Sequence, residues 1–265
     1  MLANFHTHTT FCDGKNTVEE IVQSAIEKGF DAIGFSGHGR DATSSYSIQK
    51  TQDYMNEVRR VGEKYRDRIQ VYLGIEEEKT SQAKREDFDY IIGSSHKFLV
   101  NGKAYDVDSD LEGFRTCLSL FDGDPLRMAE TYFSEFTDYI LARKPDIVGH
   151  FDLLTKFEEV SEPVFFCNEK YHQIAERYLT KALTSGCIFE VNTGAISRGY
   201  RTAPYPHERL LHVMKKHDAK VILTSDSHSA DTLDCHFTET LALLRDVGFD
   251  HLYALYHHEW VKYSI

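Results

Sequence analysis

Short apolar runs in this chain keep ending at the same kind of residue. Residues 2–5 lead into His6 and His8, residues 32–36 into His38, residues 69–73 into Glu76, residues 90–93 into His96, residues 146–148 into His150, and residues 221–223 into Asp226 and His228. Each run has the length of a buried strand. A further run, CIFEV at 187–191, is followed by Asn192-Thr193-Gly194. Between the runs lie stretches with apolar residues at helical spacing. Thr17 and Glu20 form a capping box ahead of Ile21, Val22, Ala25 and Ile26, and Gly29 closes that helix. Other helices are predicted over 48–65, 125–142, 169–185, 206–217 and 230–247, and a last short strand over 252–255. Residues 97–123 are polar and weakly periodic, and are predicted to be a loop insertion over the strand ends.

Alternating strands and helices predict a parallel sheet with crossover helices. Seven or eight such units favour a closed or nearly closed barrel over a doubly wound sheet. The chain's 265 residues suit one such domain, spanning 1–265 without linker, repeat or low-complexity tract. In a parallel barrel the C-terminal strand ends share one face, where barrel active sites lie. A lone histidine at a strand end is usually a hydrogen-bonded structural residue. Recurrence at strand after strand, with two carboxylates, is instead a metal-binding composition. His6 and His8 are two apart on one strand, so both side chains point the same way. His172, His207, His212, His217, His236, His251, His257 and His258 fall on helices or near the C-terminus and read as surface or packing residues.

The segments FHTHTTFCD (5–13), GH (37–38), GIE (74–76), SH (95–96), GHFD (149–152) and SDSH (225–228) occur in that order over nearly the whole chain. Together they resemble the PHP (polymerase and histidinol phosphatase) superfamily. The chain's size and the long segment after His96 are similar to its monofunctional histidinol-phosphate phosphatases. The resemblance implies an α/β fold, a distorted (β/α)7 TIM-like barrel of the PHP type with its active site at the C-terminal strand ends. It implies three divalent metal ions, Zn, Fe or Mn. His6, His8, Glu76 and Asp226 would hold the first, and Glu76, His96 and His150 the second, with Glu76 bridging. Asp13, His38 and His228 would hold the third, with Cys12 a softer alternative ligand. The implied reaction is hydrolysis of L-histidinol phosphate to L-histidinol and phosphate in histidine biosynthesis. The alternative is a phosphotyrosine or general phosphoester phosphatase on the same scaffold.

A phosphate ester also needs basic partners. Arg198 follows the 187–191 run, Lys156 the His150 run, and Arg40 follows His38. All three are candidates to bind phosphate. Arg198 also resembles the phosphate-binding arginine of histidinol phosphatases, and is expected at the surface. Arg198, Lys156 and Asp152 are the catalytic candidates, with Asp152 and the third-metal region the candidates for protonating the leaving alkoxide. Residues 98–114 carry Tyr105, Asp106, Asp108, Asp110 and Glu112, an acidic stretch suited to a substrate's amine or imidazolium. No Ser or Cys with a paired base stands out, so an activated water is the expected nucleophile.

The formal net charge of -12 opposes non-specific binding to nucleic acid or an anionic membrane. The same charge opposes a polymerase-associated, nuclease-like role. A metal-binding regulator without turnover would have no need of Arg198 or of open coordination positions. Five widely spaced cysteines with no CxxC read as reduced thiols of a cytoplasmic protein. No basic N-terminal region precedes an apolar run, and no stretch approaches the ~20 apolar residues of a membrane span. The oligomeric state is left open.

Overall fold

Because a parallel strand pair needs a crossover, most of the apolar runs return to the sheet through a helix, the run at 90–93 being reached from that at 69–73 without an α-helix. The computed structural model describes residues 1–41 and 44–265. In chain order its first elements are β1 (Ala3–Asn4), α1 (Val18–Glu27), β2 (Ala32–Phe35), α2 (Thr51–Tyr65), β3 (Gln70–Glu77) and β4 (Tyr90–Gly93). They are followed by β5 (Lys97–Val100), β6 (Lys103–Asp106), α3 (Leu111–Ser119), α4 (Pro125–Arg143), β7 (Ile147–Val148), α5 (Glu169–Leu183) and β8 (Ile188–Asn192). The last are α6 (Gly194–Ser197), α7 (Glu208–Lys216), β9 (Lys220–Thr224), α8 (Phe237–Val247), β10 (His251–Tyr256) and β11 (Glu259–Ser264).

Seven parallel strands run in the order β1-β2-β3-β4-β7-β8-β9. Closure happens only beyond the strand ends. Thr7 bridges Ser227 in parallel, with His8 N donating to Ser227 O at 2.8 Å and Ser227 N to His6 O at 3.0 Å. The result is the expected distorted barrel, drawn shut at the face that carries the histidines.

The barrel interior is apolar below that face. Phe5, Tyr72, Tyr90, Ile92, Ile147, Ile188 and Ile222 are buried together with Ala254 and Leu255 of β10. Full burial of each large apolar side chain stabilises by about 1.5–3 kcal/mol. Tyr90 fills the space that side chains at neighbouring strands would take. A Cβ at Gly74 would lie 2.2 Å from its ring, so only glycine fits there. The predicted strand at 252–255 is in fact a hairpin, β10 paired antiparallel with β11, and Phe5 meets Trp260 at 6.1 Å between ring centroids. The Thr17–Glu20 capping box is present, and Val18, Ile21, Val22 and Ala25 of α1 face the core.

Residues 97–123 are not a loop. β5 and β6 form an antiparallel hairpin, and α3 follows. Asn101 and Gly102 both have positive φ, 52° and 76°, which suits a two-residue turn favoured by an Asn-Gly pair. Phe98, Val107, Phe114, Cys117 and Phe121 are buried beneath it, and that burial outweighs the weak periodicity. The helix predicted from residue 230 begins at Phe237. Among the described residues no helix is long and apolar enough to cross a membrane.

Candidate metal centre

Glu76 stands at the end of β3 and is the hub of the strand-end cluster. Its Oε1 lies 3.1 Å from His150 Nε2 and 3.4 Å from His96 Nε2. Its Oε2 lies 2.9 Å from His38 Nδ1, 3.4 Å from His6 Nε2 and 3.7 Å from His8 Nε2. Asp226 Oδ1 lies 3.2 Å from His8 Nε2 and 3.6 Å from His6 Nε2. Asp13 is 3.6 Å from His8 Nδ1 and from His38 Nε2, and 3.3 Å from His228 Nε2. All nine residues expected to bind metal are thus brought together, from segments as far apart as the two ends of the chain.

The spacing fits a metal better than hydrogen bonds. Most of these separations exceed the 2.7–3.2 Å usual for N–H···O. Donors sharing one ion at bonds of about 2.1 Å would stand about 3–3.5 Å apart. His6 Nε2 and His8 Nε2 are buried and have no hydrogen-bond partner. Orphaned buried atoms cost about 1–3 kcal/mol each, and a cation would satisfy both. Donor atoms close enough to share an ion form four groups: His6, His8 and Asp226; His6, Glu76 and His150; His38, Glu76 and His96; and His8, Asp13, His38 and His228. Two donors face more than one group: His8 also faces Asp13, and His38 also faces Glu76.

The electrostatics favour ligating forms of several donors. Burial alone would raise the Glu76 carboxyl, but the His6, His96 and His38 imidazoles outweigh it and hold the group well below its usual range. Asp226 is likewise held low against burial, by Arg198 and His6. Burial and the neighbouring His228 and His38 push His8 down to about 3, so it is neutral. His6 goes the other way: Glu190, Glu76 and Asp226 outweigh its burial and raise it. Two imidazoles are fixed from behind. His6 Nδ1 meets Glu190 Oε1 at 2.6 Å and His96 Nδ1 meets Glu78 Oε1 at 3.0 Å, leaving each Nε2 toward Glu76.

Arg198 caps α6 and leans onto Asp226. Its Nη2 donates to Asp226 Oδ2 at 3.0 Å and its Nη1 to Asp226 O at 3.1 Å, while Nε is buried without a partner. Gly194 makes this possible, because a Cβ there would lie 2.8 Å from Asp226 Cβ and 2.9 Å from Arg198 Nη2. Asp226 has a left-handed backbone, φ 47°, an uncommon state for a non-glycine residue and one that turns its carboxylate into the cluster.

A cavity of about 250 Å3 opens over the cluster. Asp13, His38, His96, Asp226 and His228 line its floor, and Arg198, Lys156, Tyr46, Asp106 and Asp108 its walls. Lys156 Nζ is engaged by Asp108, through the main-chain oxygen and through Oδ2 at 3.3 Å. Tyr46 OH donates to Asp106 Oδ1 at 3.1 Å.

Several expected residues stand elsewhere. Arg40 is exposed and outside the cavity. Tyr105 pairs with Phe98 across the hairpin beneath the Lys103 ammonium, because strand alternation turns it away from Asp106. Asp152 is buried away from the cavity, where its Oδ2 accepts from His207 N at 2.9 Å. Asp110 caps α3 by accepting from Gly113 N. Cys12 does stand beside the cluster, its Sγ bonded to Thr9 O and 3.6 Å from His8 Nδ1, but it belongs to none of the donor groups. The eight histidines read as surface or packing residues lie outside the donor groups among the described residues. Sequence reading missed Glu190, although it is the lone charge within the CIFEV run. It also missed Glu78 and Tyr46, for which no pattern gave a signal.

Residues 4–194 match the family described as PHP domain. A relative from Schizosaccharomyces pombe (strain 972 / ATCC 24843), named "Probable histidinol-phosphatase", is 29% identical, over 93% of this chain and 87% of its own length. One from Bacillus subtilis (strain 168), named "Histidinol-phosphatase", is 24% identical, over 85% and 92%. A crystal structure of histidinol phosphate phosphatase from Lactococcus lactis subsp. lactis, complexed with zinc, L-histidinol and phosphate, superposes with a TM-score of 0.76 at 18% identity. It covers 98% of both chains, a likeness of the whole fold. With the family match spanning most of the barrel and the strand-end donors in place, the chain belongs to the PHP domain family.

Proposed function

We propose that this protein is a metal-dependent phosphomonoesterase that hydrolyses L-histidinol phosphate to L-histidinol and phosphate. One observation carries the reading: a single cavity joins a histidine–carboxylate cluster and Arg198 to a pair of carboxylates, Asp106 and Asp108, on its wall. Such a cavity suits a small molecule that is anionic at one end and cationic at the other. The names of the two relatives above support the same substrate.

Three ions are the proposed complement. His6, His8, Glu76 and Asp226 would hold the first, Glu76, His96 and His150 the second, and Asp13, His38 and His228 the third, with Zn, Fe and Mn all suited to these donors. Divalent cations supply there the charge that offsets the phosphoryl oxygens and the acidity that makes water nucleophilic near neutral pH. The partly exposed Arg198 guanidinium, which lines the cavity, donates to a phosphoryl oxygen as charge builds. Lys156 reaches the phosphate once the substrate's cationic end takes over Asp108, its partner in the free protein. Burial would raise the Asp108 carboxyl, but Lys156 and His96 outweigh it and keep it ionised for that role.

Asp108→Asn is therefore expected to raise KM for L-histidinol phosphate by about 10- to 100-fold, the worth of one hydrogen bond between charged groups. Hydrolysis of an uncharged alcohol's phosphate ester should change far less. Equal losses on both esters would remove Asp108 from substrate recognition.

The reaction itself is tested by comparing kcat/KM on L-histidinol phosphate and phosphotyrosine, before and after chelation and after return of Zn, Mn or Fe. L-Histidinol phosphate should be preferred, and chelation should abolish turnover reversibly. Full activity in demetallated protein, or a preference for phosphotyrosine, would overturn the proposal.

A further inference from the structure

Glu190 is a buried carboxylate in the middle of β8 with no place in the reaction described above. Its side chain has no solvent exposure, yet it sits on the barrel interior directly behind the cluster. Four donors converge on its two oxygens. Oε1 accepts from His6 Nδ1 and from Thr224 Oγ1, each at 2.6 Å. Oε2 accepts from His150 N at 2.7 Å and from Asn192 Nδ2 at 2.9 Å. Two of those donors belong to residues of the metal cluster, and they come from opposite parts of the strand order, β1 and β7.

We propose that Glu190 is a positioning residue for the metal centre. It holds the His6 proton on Nδ1, so that the Nε2 lone pair faces Glu76 and Asp226, and it clamps the His150 strand end to β8. Cation affinity then depends on a side chain that does not touch the ion. The inference rests on the metal-dependent reading given above.

Donor and acceptor count at the two oxygens explains why a carboxylate is needed. A carboxylate offers acceptors only, and here every neighbour is a donor. Glu190→Gln would place an amide NH2 against two donors, whichever way it turned. The His150 main-chain N–H cannot become an acceptor. Asn192 is fixed as well, because its Oδ1 already accepts from Gly194 N at 2.8 Å. The NH2 is thus driven toward His6 and Thr224. Thr224 can rotate its hydroxyl to accept, but His6 can accept only by moving its proton to Nε2, where it blocks the ligand lone pair.

The test is zinc affinity, measured by competition with a chromophoric chelator, in wild-type, Glu190→Gln and Thr224→Val proteins. Ligand-orienting partners of this kind are worth about 10- to 100-fold in metal affinity. Glu190→Gln should lose that much at its tightest site, with the far-ultraviolet circular dichroism of the wild type. Thr224→Val keeps the His6 contact and should stay within about threefold of wild type. Nitrogen NMR of the zinc-loaded wild type should show His6 protonated at Nδ1 and coordinated through Nε2, a reading that needs no variant to fold. Coordination through Nδ1, or unchanged zinc affinity in Glu190→Gln, would overturn the inference. Wild-type protein that binds no zinc would overturn the metal-dependent reading as well, so the two failures are distinguishable.

Discussion

Glu76→Gln is expected to lower kcat/KM on L-histidinol phosphate by at least about 10³-fold. The reason is that Glu76 uses its two oxygens differently. Oε1 faces His150 and His96, whereas Oε2 faces His6, His8 and His38. An amide keeps one acceptor oxygen and turns an NH2 group toward the other set, where imidazole lone pairs and a cation cannot both be served. Losing a ligand that would hold two ions in the proposed centre would remove several kcal/mol of charge stabilisation. About 4 kcal/mol corresponds to roughly 10³ in rate. The variant should also bind fewer equivalents of zinc, and zinc should raise its Tm less, because ligand binding to the folded state is what produces that shift. Metal stoichiometry by elemental analysis, taken with kinetics, checks this. Wild-type stoichiometry together with wild-type turnover would place Glu76 outside the reaction. The change is isosteric and leaves the His6–Glu190 and Asp13–His228 contacts in place, so the protein should remain folded.

Arg198→Ala is expected to reduce kcat by about 10²–10³, the usual cost of one donor aimed at developing charge. The structure adds a second consequence. Arg198 was expected as a surface residue, for which truncation leaves stability within about 0.5 kcal/mol. Instead it is only 29% exposed at the side chain and holds Asp226 through two hydrogen bonds. Truncation therefore also frees the Asp226 carboxylate, a proposed ligand of the first ion. The two effects separate on titration with zinc. A deficit that persists at saturating zinc belongs to phosphate binding, and one that zinc restores belongs to Asp226. Arg198→Lys keeps the charge but not the forked geometry, so it should recover little of either. Wild-type kcat in Arg198→Ala at all zinc concentrations would make the residue a bystander.

The donors were legible in the chain because parallel topology leaves them no choice. A residue just past the end of a parallel strand must stand on the same face as its counterparts, so His6, His38, Glu76, His96, His150 and Asp226 could be grouped from local patterns alone. The capping box at Thr17 and Glu20 was legible for the same kind of reason, a contact made within one turn. The β5–β6 hairpin was also written locally, in Asn101-Gly102, a pair whose positive φ angles suit a two-residue turn.

What local pattern could not carry was pairing across the barrel. Asp152 and His150 are neighbours in sequence, yet one faces His207 and the other Glu76, because the chain turns between them. Lys156 is partnered by Asp108, 48 residues away, and His6 by Glu190, 184 residues away. Those contacts depend on strand register, tilt and the way β1 and β9 close through Thr7 and Ser227. The sequence by itself determined which residues reach the barrel mouth, since strand period and chain direction are properties of a few consecutive residues. Only the tertiary structure decided which of them share an oxygen, a proton or a cavity wall. Those distances are set by how all seven strands pack at once.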